Sequence, residues 1–120
     1  MIQAIVRRME REGLTNVHPV LGEYDDPKLP ADAHPDAVLM VDSFHEMAHP
    51  VIMLRNVART LKPQGRIGII DYREGDGGPG PSSEDRVPPS VVISQAGVAG
   101  LKLVDEHKFL PYQYFLIFGK

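Results

Sequence analysis

The sequence predicts an α/β layered fold whose sheet is mostly parallel and closes with a C-terminal antiparallel hairpin. Three observations carry this. Two short apolar runs, Ala37–Val41 and Arg66–Tyr72, flank a helical pattern that starts at Pro50 and stops at a Lys-Pro-x-Gly turn, which makes one strand–helix–strand unit. Both runs are nearly continuously apolar, as expected of parallel strands covered on both faces. The C-terminal segment then carries two β-rich runs, Leu101–Phe109 and Tyr112–Phe118, joined through Leu110-Pro111.

The remaining elements follow in chain order. Ile2, Ile5, Val6 and Met9 fall at helical spacing in a pattern that begins at Met1, so residues 2–12 read as an amphipathic helix. Gly13 supplies the stop and Leu14 the apolar contact beyond it. Val17–Leu21 reads as a short strand, followed by an acidic loop from Gly22 to Pro35. Ala37–Val41 reads as a central strand. Pro50 suits the first turn of a helix, with Met53, Leu54, Val57, Ala58 and Leu61 as its buried stripe. Residues 74–87 have the composition of a surface loop. Pro89–Ala99 reads as a weak helix with Val91, Val92 and Val98 available for burial, stopped by Gly100.

Composition narrows the function classes. The chain has 120 residues and a formal net charge of −3. Its basic residues are scattered, so nothing marks a nucleic-acid or anionic-membrane surface. It has no cysteine, which removes disulfides, thiolate metal ligands and a cysteine nucleophile, and fits a cytoplasmic location. No apolar run approaches the roughly 20 residues of a membrane span.

Two short motifs match familiar patterns. His45-Glu46-Met47-Ala48-His49 has the form His-Glu-x-x-His, in which two histidines one helical turn apart bind zinc and the glutamate activates water. Pro50 pushes His49 out of helical conformation, and a third ligand among His18, His34 or His107 has no supporting spacing. A zinc hydrolase is therefore a remote alternative, and no metal site is expected. Residues 75–80, Gly-Asp-Gly-Gly-Pro-Gly, match Gly-x-Gly-x-x-Gly after a strand. A dinucleotide loop must lead at once into a helix, and here Pro79, Pro81, Ser82 and Ser83 follow instead.

Position singles out other residues. Ser43 and Glu46 have the spacing of a capping box. His45 and Glu46 lie just past the carboxyl end of a strand, where open α/β sheets bind ligands. Glu23, Asp25 and Asp26 form an acidic turn that could accept hydrogen bonds from an amine or hydroxyl.

These residues resemble a family. NVHPVLGEYDDPKLP, DAVLMVDSFHEMAHPVIMLRNVARTLKPQGRIGIIDYR and AGLKLVDEHKFLPYQYFLIFGK are similar to the C-terminal part of class I S-adenosylmethionine-dependent methyltransferases, in the subgroup of ubiquinone and menaquinone C-methyltransferases. The resemblance implies a truncated Rossmann-like sheet. The family order is 3-2-1-4-5-7-6, with Val17–Leu21 as strand 3, Ala37–Val41 as strand 4, Arg66–Tyr72 as strand 5 and the hairpin as strands 6 and 7. It also implies methyl transfer from S-adenosylmethionine to a small molecule. One of Glu23, Asp25 and Asp26 would meet the adenine amine, and Val41 and Asp42 would line the methionine end. His45, Glu46 and Tyr72 would face the substrate.

The family's first two strands, with their glycine loop and ribose-binding acid, have no counterpart in the sequence. The chain is thus expected to form one partial domain over residues 1–120 that is inactive alone. Strand 4 would then have an open apolar edge, which implies a homodimer or a complementing chain. The alternative is a non-catalytic fragment or homodimerising interaction module.

Overall fold

A computed structural model describes residues 2–75 and 77–120. Met1 and Asp76, which belong to the expected N-terminal pattern and the glycine-rich stretch, lie outside the described residues. The elements are α1 (Ile2–Glu12), β1 (Ala37–Val41), α2 (Pro50–Thr60), β2 (Arg66–Tyr72), α3 (Pro89–Val98), β3 (Lys102–His107) and β4 (Gln113–Gly119). Single 3-10 turns occur at Phe44–Glu46 and Ser83–Asp85.

The strands form one sheet in the order β1-β2-β4-β3. β1 and β2 run parallel, with Val38 beside Ile67 and Met40 beside Ile69. β4 runs antiparallel to both β2 and β3, and the β3 register shifts between Leu103 and Asp105. This is an α/β mixed sheet consistent with a truncated Rossmann-like domain. Its order is the one implied for strands 4, 5, 7 and 6.

Side-chain alternation divides the sheet into two faces. Met40, Ile67, Ile69, Leu116 and Phe118 point to one side and are buried. There they meet Leu54, Val57 and Leu61 of the α2 region and Val92 and Ala96 of α3 in one core. The stripe expected on α2 is present: Leu54 and Val57 are fully packed, and Met53 and Ala58 lie against the core. On α3 only part of the expectation holds. Val92 and Ala96 are buried, whereas Val91 and Val98 are exposed, because the helix turns its 92/96 face to the sheet.

Three expectations are corrected. Val17–Leu21 is not a strand. Its apolar residues are exposed, and among the described residues no strand lies beside it to satisfy its backbone, while Pro19 removes one donor. β1 is an edge strand: its continuous apolar run reads as central, whereas the open edge expected for strand 4 is what forms. Leu39 is 62% exposed and Val41 49%, so its second face is bare. Ser43 precedes the 3-10 turn but makes no side-chain capping bond; a turn this short presents its amide to the Ser43 carbonyl instead, through Glu46 N at 3.1 Å. α1 forms over the expected residues, yet none of its residues is buried.

Candidate functional site

β1 and β2 are parallel and β4 is antiparallel, so the end of β1, the end of β2 and the start of β4 lie at one edge of the sheet. The candidate site is built there. β2 alternates Ile67, Ile69 and Asp71 onto the covered face, which places a carboxylate where the two preceding side chains are apolar. Asp71 is 1% exposed.

A buried carboxylate must be met by donors. Asp71 accepts hydrogen bonds from the Tyr72 amide at 2.8 Å and from the His45 amide at 3.0 Å. The His45 ring Nδ1 lies 2.9 Å from one carboxylate oxygen and 3.0 Å from the other. With an ionised acceptor opposite, Nδ1 is assigned the proton, which leaves Nε2 of the neutral ring with its lone pair. The His45 side chain is 9% exposed, and Glu46, open to solvent, brings a carboxylate oxygen to 3.7 Å from Nε2.

The 3-10 turn explains how residues 26 apart in sequence meet. β1 ends at Val41, and Asp42 after it adopts a left-handed φ of 54° that turns the chain sharply off the sheet. Phe44, 2% exposed, then enters the core and drives His45 against the end of β2. Gln113 at the start of β4 donates its amide to the Asp42 carboxylate. On the far side of Asp71, Tyr114 donates its hydroxyl to the Val87 carbonyl at 2.8 Å. Burial, reinforced by the negative charge of Asp71, pushes the Tyr114 phenol well above its usual range.

The structure brings His45, Glu46, Asp42 and Tyr72 to this edge. The Tyr72 ring is half-buried, with Gly80 against it and the Arg86 guanidinium 5.4 Å from its centre. Val41 projects on the bare face. The acidic residues 23–26 make their hydrogen bonds within their own turn and to Asn56. Glu23 and Asp26 close a tight turn through paired backbone bonds, and Asp26 caps the Lys28 amide at 2.9 Å. Asn56 of α2 holds this turn by bonding the Asp25 carbonyl at 2.9 Å, and Tyr24 packs 5.6 Å from the His49 ring.

His49 precedes α2 as its cap, with φ −130° and ψ 68°, so His45 and His49 do not share a helical face. Among the described residues no group of three metal-ligating side chains converges. The geometry gives the zinc alternative no support. Nor is any described helix long and apolar enough to cross a membrane.

Three participants escaped the sequence: Asp71, Gln113 and Tyr114. Asp71 had a visible sign, since an acid at the end of an apolar strand, in register with Ile67 and Ile69, has to enter the covered face.

Comparisons with known proteins agree with this architecture. Residues 1–69 match the protein-family model described as a methyltransferase domain. No curated protein matches the chain. A SAM-dependent methyltransferase from Aquifex aeolicus superposes with a TM-score of 0.89 at 24% identity, over 98% of this chain and 62% of that one. A protein from Sulfolobus solfataricus, described as a type 11 methyltransferase, gives 0.76 at 25% identity over 100% and 68%. The O-methyltransferase NcsB1 from neocarzinostatin biosynthesis, in complex with S-adenosyl-L-homocysteine and 1,4-dihydroxy-2-naphthoic acid, gives 0.81 at 20% identity over 98% and 38%. This chain thus spans less than two thirds of the Aquifex protein and about two fifths of NcsB1. With the family match running over more than half its length, the chain belongs to the methyltransferase-domain family, and its sheet order and strand–helix–strand core share the fold of S-adenosylmethionine-dependent methyltransferases.

Proposed function

We propose that this chain is the acceptor side of an S-adenosylmethionine-dependent methyltransferase for a small aromatic or enolic hydroxyl compound, with His45 as its general base. The observation that carries the reading is the His45–Asp71 pair at the carboxyl ends of two adjacent parallel strands. When bound, the cofactor supplies an electrophilic methyl group on a sulfonium.

The residues present fit that cofactor in part. Asp42 at the end of β1, with Val41 before it, offers a carboxylate for an ammonium group, and the turn at Glu23, Asp25 and Asp26 offers acceptors for an amine. The glycine-rich residues after β2 lead to a three-residue 3-10 turn and not into a helix, so they supply no phosphate- or ribose-type cradle. The chain's own chemistry is clearer. Nε2 of His45 takes the acceptor's hydroxyl proton. Loss of that proton would leave an electron pair on the acceptor's oxygen, or on a ring carbon conjugated with it, facing the methyl group that a bound cofactor would supply. Asp71 stabilises the imidazolium and Glu46 adds a second negative charge nearby. Tyr72 lies beside the site as a wall for the acceptor.

An aromatic hydroxyl is favoured by one likeness: NcsB1, which shares this fold, was solved with 1,4-dihydroxy-2-naphthoic acid. A cytoplasmic setting, and completion of the cofactor site by a second polypeptide, belong to the same reading. The second reading, a non-catalytic association module, is favoured by the bare β1 edge.

Calorimetric titration with S-adenosylhomocysteine separates the two. Binding at micromolar ligand, with methyl transfer to 1,4-dihydroxy-2-naphthoic acid that His45→Gln removes, supports the enzyme. No heat at millimolar ligand rejects it for this chain alone.

A further inference from the structure

We infer that residues 77–86 and the hairpin turn at residues 108–112 form one lid at the carboxyl edge of the sheet, ordered together through Arg73 and Arg86. Apart from the 3-10 turn at Ser83–Asp85, neither loop has regular structure of its own. Such a loop is ordered by what its backbone polar groups meet. In this chain they meet two guanidinium forks.

Arg86 gathers the first loop. Its Nε donates to the Pro81 carbonyl at 3.0 Å, its Nη1 to the Gly77 carbonyl at 3.0 Å and its Nη2 to the Pro79 carbonyl at 3.4 Å. Nη1 also reaches back to the Arg73 carbonyl, at 3.2 Å. Arg73 gathers the second loop in the same way. Its Nε donates to the Gln113 carbonyl at 3.2 Å, and its Nη2 to those of Leu110 at 2.9 Å and Lys108 at 3.3 Å. The Arg73 amide adds a bond to the Tyr112 carbonyl at 3.0 Å. Arg73 therefore belongs to both networks, its carbonyl tied to one loop and its amide and side chain to the other. Among the described residues neither arginine pairs with a carboxylate, so both forks are taken up by carbonyls.

The loops also touch directly. Gly78 lies so close to the Tyr112 ring that any side chain there would overlap it. Gly80 rests on the Tyr72 ring, and the Tyr114 hydroxyl anchors the end of the first loop at the Val87 carbonyl, 2.8 Å away. Loosening either loop removes contacts from the other, and such coupling is reciprocal. All these contacts lie between residues 72 and 114, at the edge that carries Asp71. The coupling is independent of the catalytic reading above.

Amide nitrogen relaxation of the purified chain tests it. In the wild type, Gly77, Gly78, Gly80 and Ser82 in one loop, and Phe109, Leu110 and Tyr112 in the other, should have order parameters near the rigid value of about 0.85. Arg86→Lys should drop both sets below about 0.6, although Arg86 touches nothing in 108–112, and Arg73→Lys should do the same to both. Ile69 and Leu116 should stay rigid, which shows that the sheet is intact. Tyr112→Ala, at a half-exposed position, leaves both forks in place and should loosen residues 77–82 from the opposite loop. A wild-type loop already below about 0.6, or variants that each loosen only their own loop, would overturn the inference.

Discussion

One carboxylate, Asp71, fixes both the backbone and the ring of His45, at 3.0 Å and 2.9 Å. The double attachment sets the ring's tilt and its tautomer together. Asp71→Asn keeps the shape but removes the negative charge and presents donors to donors. If His45 is the base, methyl transfer should fall by about 10²- to 10⁴-fold. Nitrogen NMR of His45 should show the Nδ1-protonated form losing its dominance. An unchanged ring tautomer together with unchanged turnover would remove Asp71 from the mechanism.

Tyr114 yields a pH prediction. Its phenol is raised above the usual 10.0, first by burial and then by Asp71. The folded state therefore holds this proton more tightly than the unfolded chain. The associated stability is fully present below pH 10 and is lost as pH rises beyond it. Urea unfolding should show stability declining through that alkaline range. Tyr114→Phe should flatten the decline while costing about 1 kcal/mol at neutral pH for the lost bond to Val87. A wild-type curve flat above pH 10 would contradict it.

Arg86 is 8% exposed and has no carboxylate partner among the described residues. Its guanidinium instead bonds the carbonyls of Pro81, Arg73, Gly77 and Pro79 at 3.0 to 3.4 Å. A planar fork can reach several carbonyls at once, and an ammonium cannot. Arg86→Lys should lower stability by about 1–3 kcal/mol. It should also expose residues 77–82 to limited proteolysis. Wild-type cleavage rates in the variant would show that the fork is dispensable.

Gly80 has φ +111°, and an added Cβ would lie 2.7 Å from the Tyr72 ring. Gly80→Ala should therefore cost about 1–3 kcal/mol. It should also shift Tyr72, visible in its ring NMR signals. Gly77→Ala, with open space around its Cβ, is the control and should stay within about 0.5 kcal/mol of wild type. Equal effects at the two positions would refute the contact argument.

Much of the fold was legible because it is written locally. β1, β2 and α2 come from apolar runs, one proline and one glycine turn, and their bounds match the sequence closely. Val17–Leu21 misled because its residues suit a strand, whereas a strand exists only where another offers hydrogen bonds. No residue inside β1 reports whether it is central or an edge; the open edge was legible only from the family strands that have no counterpart in the sequence. The site was half visible. His45 stood out by its place after a strand, but its partner Asp71 lies 26 residues on, and only pairing of β1 with β2 reveals the contact. Gln113 and Tyr114 arrive from the hairpin, where register decides everything and spacing says nothing.

The strand order carries one last consequence. β4 lies between β2 and β3, and its Leu116 and Phe118 are completely enclosed. During synthesis every other strand leaves the ribosome before its principal neighbour exists. The nascent chain must hold Ile67, Ile69, Leu54 and Val92 without a lid until the stretch from 113 to 119 emerges, which makes it a natural client for chaperones that bind greasy, unfinished polypeptides.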